Sequence, residues 1–399
     1  MKAFDAKSII AEEVAALLGG RAGSLVDGEI IAGDGAKITL QDPATGDALL
    51  EYNSAGPALV AQAASGAARA QGIWQGLSGA ERGRRLWAMA PLLRQAAESL
   101  ARLESAQTGK PLRDARAEVA RVAEMAEYWA GWCDKIEGRI IPVPSGHTVM
   151  VMRDPLGVVL AITPWNAPIF TAGWNVFPAL AAGNAVLLKP SEFTPLTSLA
   201  LGLIAEQAGL PRGLFQVLAG PGQGTGAALL AAPEIAKVVF VGGVAAGRAV
   251  AATAAARGVP TVLELGGKSA NIVFDDADFA SAIQGAQQAI YAGSGQSCVA
   301  GSRLLVQRSL HDRFIAALAE AQRRIRLGDP LDAATEMGPV ANARQFAHVR
   351  ELLAAGEASG AAVMAAARPS ELPERGFWVP PTLLAGLSNE ARPAREEIF

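Results

Sequence analysis

The stretch Val158–Leu188, VVLAITPWNAPIFTAGWNVFPALAAGNAVLL, decides the fold class. Its two ends, Val158–Ile162 and Val186–Leu188, are short aliphatic runs, and a proline-bounded loop and an apolar helical stretch lie between them. No charge falls from Pro155 to Leu188. A membrane span fails as an explanation, because Pro164, Pro168, Pro178, Asn166, Asn175 and Asn184 interrupt it. Two strands buried on both faces, joined through a loop and a buried helix, suit it better.

The same alternation continues outward. Toward the C-terminus, strand-like runs at Phe215–Leu218, Val238–Val241, Thr261–Leu265 and Asn271–Phe274 alternate with helical stretches at Thr197–Ala208 and Gly224–Leu230. Strand–helix–strand alternation predicts an α/β fold with a doubly wound, Rossmann-like parallel sheet. A further α/β unit follows: a helix from Asp278, a strand at Arg303–Val306, helices at Leu310–Arg326 and Asn342–Ser359, and a strand near Trp378–Leu384. Toward the N-terminus, Pro57–Leu77, Gly79–Thr108 and Leu112–Trp132 carry helical patterns. Gly138–Met152 reads as a small hairpin around Pro144-Ser145-Gly146. The expected division is residues 1–265, residues 266–399, and the 138–152 hairpin as a separate element.

Composition narrows the function. The 399 residues are 51% hydrophobic and 18% charged, enough to bury real cores and too apolar for a disordered chain. Lys+Arg number 35 against 38 Asp+Glu, a net charge of −3, so no basic excess marks a nucleic-acid binder. Two cysteines, Cys133 and Cys298, exclude a disulfide scaffold and cysteine-built metal sites, and the three histidines have no zinc-ligand spacing. Asp5, Lys7, Glu12 and Glu13 break any secretory core at the N-terminus. A cytoplasmic protein with no membrane or nucleic-acid partner is expected. No strict G-x-G-x-x-G is present, Gly266-Gly267-Lys268-Ser269 lacks the first glycine of a P-loop, and no G-x-S-x-G elbow occurs.

Three residues carry the chemistry. Cys298 lies in YAGSGQSCVAGSR, where Gly293, Gly295 and Gly301 let a ligand approach the backbone. Alone, such a thiol is more often a buried structural cysteine, the reading given to Cys133. Glu264, in TVLELGGKSA, is an acid in an otherwise apolar strand, expensive to bury without a purpose, although a strand-end salt bridge would also account for it. Asn166 lies between two prolines directly after a predicted strand, where an asparagine is ordinarily a turn residue. Strand ends are also where open α/β sheets place their ligands.

Together these segments resemble the NAD(P)-dependent aldehyde dehydrogenase superfamily. VLELGGKSANIVFDDAD is similar to its glutamate signature, GSGQSCVAGSR to its cysteine signature, and TPWNAPIF with FPALAAGNAVLLKPSEFTP to its asparagine loop and cofactor strand. LESAQTGKPL from Leu103, GDPLDAATEMGPV from Gly328, FWVPPTLL from Phe377 and the terminal EEIF extend the likeness, in order, over nearly the whole chain.

The resemblance implies oxidation of a small-molecule aldehyde to a carboxylic acid, with NAD as cofactor. Cys298 would attack the carbonyl, Asn166 and the Cys298 amide would hold the oxyanion, and Glu264 would activate the water that hydrolyses the thioester. Residues 1–265 become the NAD-binding domain, 266–399 the catalytic domain, and the hairpin an oligomerisation element of a homo-oligomer. Lys189 and Glu192 would hold the adenosine ribose; a carboxylate there disfavours a 2′-phosphate, hence NAD over NADP. Gly242 to Gly247 match the turn beneath the pyrophosphate, and Trp165, Glu397 and Phe399 fall around the nicotinamide. Ala167 and Trp174 line the substrate tunnel.

This chain departs from the family pattern at Gly243, where serine is usual, at Asn175, where lysine is frequent, and at Ala167, where a bulky aromatic is frequent. Weaker NAD binding and a wider tunnel, favouring larger or aromatic aldehydes, are expected. The family continues past EEIF, so the catalytic domain is expected to be incomplete at its C-terminus and the hairpin to lack its partner strand. Two other readings remain at this level: a catalytically silent NAD-binding or assembly fragment, and a CoA-acylating dehydrogenase, against which the presence of Glu264 speaks.

Overall fold

The computed structural model describes residues 5–144, 146–367 and 371–399. Helix α1 (Ala6–Leu18) is followed by short strands β1 (Ser24–Val26) and β2 (Glu29–Ile31) and by the pair β3 (Lys37–Gln41) and β4 (Ala48–Asn53). Four helices come next: α2 (Pro57–Gln75), α3 (Gly79–Gln95), α4 (Ala97–Thr108) and α5 (Leu112–Ala130). Strands β5 (Arg139–Ile141) and β6 (Val149–Val151) form the hairpin, and Ser145 of its expected turn lies outside the described residues.

The strand–helix alternation then builds β7 (Val158–Ile162), α6 (Pro168–Ala181), β8 (Ala185–Lys189), α7 (Leu196–Gln207), β9 (Phe215–Val217), α8 (Ala227–Ala231), β10 (Ile235–Gly242), α9 (Val244–Ala255) and β11 (Thr261–Leu265). A single sheet runs in the order β11-β10-β7-β8-β9-β1-β2. Its first five strands are mutually parallel, β1 joins β9 in antiparallel pairing, and β2 pairs antiparallel with β1 in turn. Every residue of β7 and β8 is buried, which explains their uninterrupted apolar sequences.

The sheet is therefore mixed rather than purely parallel. Strands β1 and β2 are three residues each, too short to carry a period readable from sequence, and the β3–β4 pair escapes the sequence reading. The expected Gly79–Thr108 helix is likewise two helices, broken at Ala96 (φ −89°, ψ 5°). Neither proline nor glycine marks the break, so the apolar repeat runs through it. The N-terminus of α3 is fixed by a capping box in which Ser78 and Glu81 satisfy each other's backbone amides. The stretch Gly224–Leu230 divides into a π-helical turn at Gly222–Gly226 and α8.

The remaining elements gather around smaller cores. Parallel β12 (Ala270–Val273) and β13 (Arg303–Val306) pack with α10 (Phe279–Tyr291) and α11 (His311–Gln322) over Val273, Ala286, Phe314 and Leu318. Helix α12 (Ala343–Ala358), the pair β14 (Ala362–Ala365) and β15 (Thr382–Ala385), and α13 (Arg392–Arg395) complete the chain. The two parts are stitched by backbone: the Leu112 amide donates to the Pro330 carbonyl at 2.8 Å. Gly338 lies against Gly109 so closely that a Cβ would sit 2.0 Å from the Gly109 oxygen.

Candidate active site

The parallel strands end along one edge, and the candidate residues lie there. Ile162 at the end of β7 is in register with both Lys189 at the end of β8 and Phe240 of β10, and Glu264 near the end of β11 is paired with Val241. From Ile162 the chain runs through Trp165 and Asn166 into α6; from β10 it runs through Gly242 into α9. This is the edge at which open parallel sheets receive ligands.

The cysteine loop comes to this edge from the second part of the molecule. After α10 the chain turns through Ala292–Gly295, with left-handed Gly293 (φ 60°) and Ser294 (φ 60°). Ser294 is not a glycine, so this conformation is held by its surroundings. It is buried, and its Oγ accepts the Gly338 amide at 2.9 Å. The Gln296 side-chain oxygen accepts the Ala341 amide at 2.9 Å, and the Gly293 amide donates to Asp114 at 3.2 Å. With the turn fixed, Cys298 emerges exposed, whereas Cys133 is buried.

The asparagine meets this loop directly. Asn166 Nδ2 donates to the Gln296 carbonyl at 2.9 Å, two residues before the thiol. An amide nitrogen carries two hydrogens, so one N–H remains to donate elsewhere. The Cys298 thiol is raised above an ordinary cysteine, first by partial burial and then by the nearby carboxylates of Glu397 and Glu264. The backbone N–H groups of Cys298 and Val299 oppose that rise. Sulfur, two carboxylates and an asparagine amide distant in sequence thus share one neighbourhood. Burial pushes the Cys133 thiol up to about 11.

The candidate cofactor residues fall into two groups. Lys189 is buried, with Nζ donating to the Gly220 carbonyl at 2.8 Å and lying 3.7 Å from the Glu192 carboxylate; burial holds its pKa below that of a free lysine. Gly242 precedes Gly243, the N-cap of α9, which offers no side-chain cap. Gly243 faces open space, whereas a Cβ on Gly247 would come within 2.5 Å of Leu265. The amides of that helix start are therefore open to an anion.

The second group includes Glu397, whose carboxylate acts on the Cys298 thiol. Trp165 and Phe399 meet edge to face at 5.4 Å and 86°. The Glu397 carboxylate lies on Gly266, where any Cβ would collide with it, and accepts the Gly267 amide at 3.3 Å. Burial raises the Glu397 carboxyl, while Gly267 and Lys268 lower it. Ala167 is the N-cap of α6, and Trp174 projects from the same helix, 42% exposed and stacked obliquely on Phe170 at 6.2 Å.

Some contributors escaped the sequence reading. Tyr52 of β4 donates its hydroxyl to the Glu192 carbonyl at 2.9 Å, and nothing in its neighbourhood signals that contact. Gln296 links the asparagine to the cysteine loop. Lys268, set aside with the false P-loop, is shifted down to about 8, chiefly by burial. Among the described residues no group of three His, Cys, Asp or Glu side chains could hold a metal, and no helix is long and apolar enough to cross a membrane.

Comparison with known proteins agrees with this geometry. The model of the aldehyde dehydrogenase family matches residues 30–399. The betaine aldehyde dehydrogenase of Bacillus subtilis (strain 168) is 38% identical over 381 residues, covering 94% of this chain and 78% of that protein. The hydroxyisobutyraldehyde dehydrogenase of Mycolicibacterium austroafricanum is 38% identical over 94% of this chain and 74% of its own length. The crystal structure of betaine aldehyde dehydrogenase from Staphylococcus aureus in complex with NAD+ superposes with a TM-score of 0.93, at 32% identity, over 98% of this chain and 79% of that one. A chain with this sheet, this cysteine loop and these relatives belongs to the aldehyde dehydrogenase family.

Proposed function

We propose that the protein oxidises an aldehyde to a carboxylic acid with NAD as cofactor, through a covalent bond to Cys298. The observation that carries this reading is the 2.9 Å hydrogen bond from Asn166 to the Gln296 carbonyl, which brings a side-chain amide to the loop of an exposed thiol. Residues 1–265 hold the cofactor and 266–399 carry the nucleophile. The apolar 138–152 hairpin, with Ile140 and Met150 exposed, is the homo-oligomer contact.

The residues present fit NAD. The open, uncapped start of α9 suits the pyrophosphate, Lys189 and Glu192 suit the adenosine ribose, and Trp165, Glu397 and Phe399 suit the nicotinamide end. When bound, NAD+ supplies the hydride acceptor that turns a thiohemiacetal into a thioester. The chain does the rest. Cys298 attacks as thiolate and forms the thiohemiacetal. The free N–H of Asn166 and the Cys298 amide receive the oxyanion, a donor of this kind being worth about 10²–10³ in rate. Glu264 takes the proton of the water that cleaves the thioester.

The direct test is NADH absorbance with a panel of short, branched and aromatic aldehydes, with and without CoA. Steady NADH formation giving free acid in both conditions is the expected result. Acyl-CoA as product would convict the acylating alternative, and thermal stabilisation by NAD with no NADH would convict the silent one.

The raised thiol gives a pH signature. A group held protonated reacts as thiolate only at higher pH, so alkylation of Cys298 by iodoacetamide in the free protein should inflect above the value of an unperturbed cysteine. Saturation with NAD+ brings a cation near the sulfur and should move that inflection downward. Mass spectrometry resolves Cys298 from the slower, buried Cys133. An unchanged profile with bound NAD+ would remove the cofactor from the vicinity of the thiol.

A further inference from the structure

The LESAQTGKPL segment has no role in the steps above, yet it holds two deeply buried charges. Glu104 is 0% and Lys110 2% exposed. One Glu104 oxygen accepts the Thr197 hydroxyl at 2.5 Å and the Gln107 amide at 3.1 Å. Its other oxygen lies 3.8 Å from Lys110 Nζ, which donates to Glu118 at 2.6 Å. That same oxygen accepts the backbone N–H of Ile169 at 3.2 Å.

The last contact matters because of where Ile169 lies. Helix α6 begins at Pro168, its N-cap Ala167 has no side chain able to cap, and proline has no N–H. The Ile169 amide is thus the first donor of the helix, and a carboxylate from α4 satisfies it. A negative charge at a helix start is also favoured by the helix dipole. Asn166 stands one residue before that N-cap, so the direction in which the chain enters α6 sets where its amide points. The helix that follows this segment reaches the cysteine loop, since Asp114 in the first turn of α5 accepts the Gly293 amide.

We infer that Glu104 is the positioning residue of the oxyanion donor: by capping α6 from a neighbouring helix it fixes Asn166 against the cysteine loop, and Lys110 balances its charge. This rests on the reading of Asn166 given above. Glu104→Gln keeps the shape but removes the charge and places an amide where an acceptor is needed. A misplacement of about an ångström at a reacting group costs up to roughly 10²-fold. A kcat loss of roughly 10- to 100-fold is therefore expected, with the KM for NAD nearly unchanged.

A double-mutant cycle separates positioning from general loosening of the core. If Glu104 acts through Asn166, its substitution costs little more once Asn166→Ala is present; an equal fold-loss in both backgrounds overturns the inference. Asn166→Ala with wild-type kcat would instead overturn the oxyanion reading itself. A readout independent of turnover is amide hydrogen exchange. Glu104→Gln should speed exchange in the peptide spanning residues 163–172 while α4 and α7 stay protected, and unchanged protection of that peptide overturns the inference. Thr197→Val removes one donor to the carboxylate without stranding a charge. It should show the same pattern at smaller amplitude, and it carries the test if Glu104→Gln does not fold.

Discussion

Cys298→Ala should abolish NADH formation from every aldehyde while leaving NAD binding intact. The expected loss is on the order of 10⁴-fold or more, because the proposed route passes through a thioester that only a cysteine sulfur can form. The exposed position of Cys298 makes the substitution structurally mild. No large cavity opens, and the loop is held by Ser294, Gln296 and Asp114 rather than by the sulfur. NAD binding, followed by calorimetry or by thermal shift, should be unchanged or slightly tighter, since the candidate cofactor contacts at Lys189, Glu192 and the start of α9 do not involve the thiol. Turnover near that of the unaltered protein would show that the nucleophile lies elsewhere.

Glu264→Gln should separate the two halves of the reaction. Glutamine preserves size at the end of β11 and removes the base, so thioester hydrolysis should slow by about 10²–10⁴. Attack and hydride transfer do not need that base. Mixing enzyme, NAD+ and aldehyde should then give a burst of about one NADH per site followed by slow turnover, the kinetic mark of an accumulating acyl-enzyme. The same change removes a carboxylate that raises the Cys298 thiol, so the pH at which the burst rate rises should move down. An unaltered burst and an unaltered steady state would place the water-activating base at another residue. Glu397, the other carboxylate acting on the thiol, is the one to substitute next.

The parallel sheet was readable because β7 and β8 are buried on both faces, which forces their sequences to be continuously apolar. Strands β1 to β4 were not readable. Strands β1 and β2 are three residues each and have no period of their own, and the place of β1 in the sheet is decided by a distant neighbour, Leu25 against Val217, whereas β3 and β4 pair only with each other, outside the main sheet. The break between α3 and α4 was hidden for a related reason: the apolar stripe continues across Ala96 although the backbone does not.

Residue types and their local settings were in the sequence: a glycine-flanked cysteine, an acid in an apolar strand, an asparagine after a strand, and the motif order that identifies the family. These are local chemical facts, and one-dimensional order preserves them. The structure alone decided the company they keep. Asn166 and Gln296 are 130 positions apart and meet in one hydrogen bond, Glu104 caps a helix 65 positions away, and Tyr52 reaches Glu192 across 140. Contacts at such separations arise from packing, because a side chain's partners are chosen by which elements the core brings together.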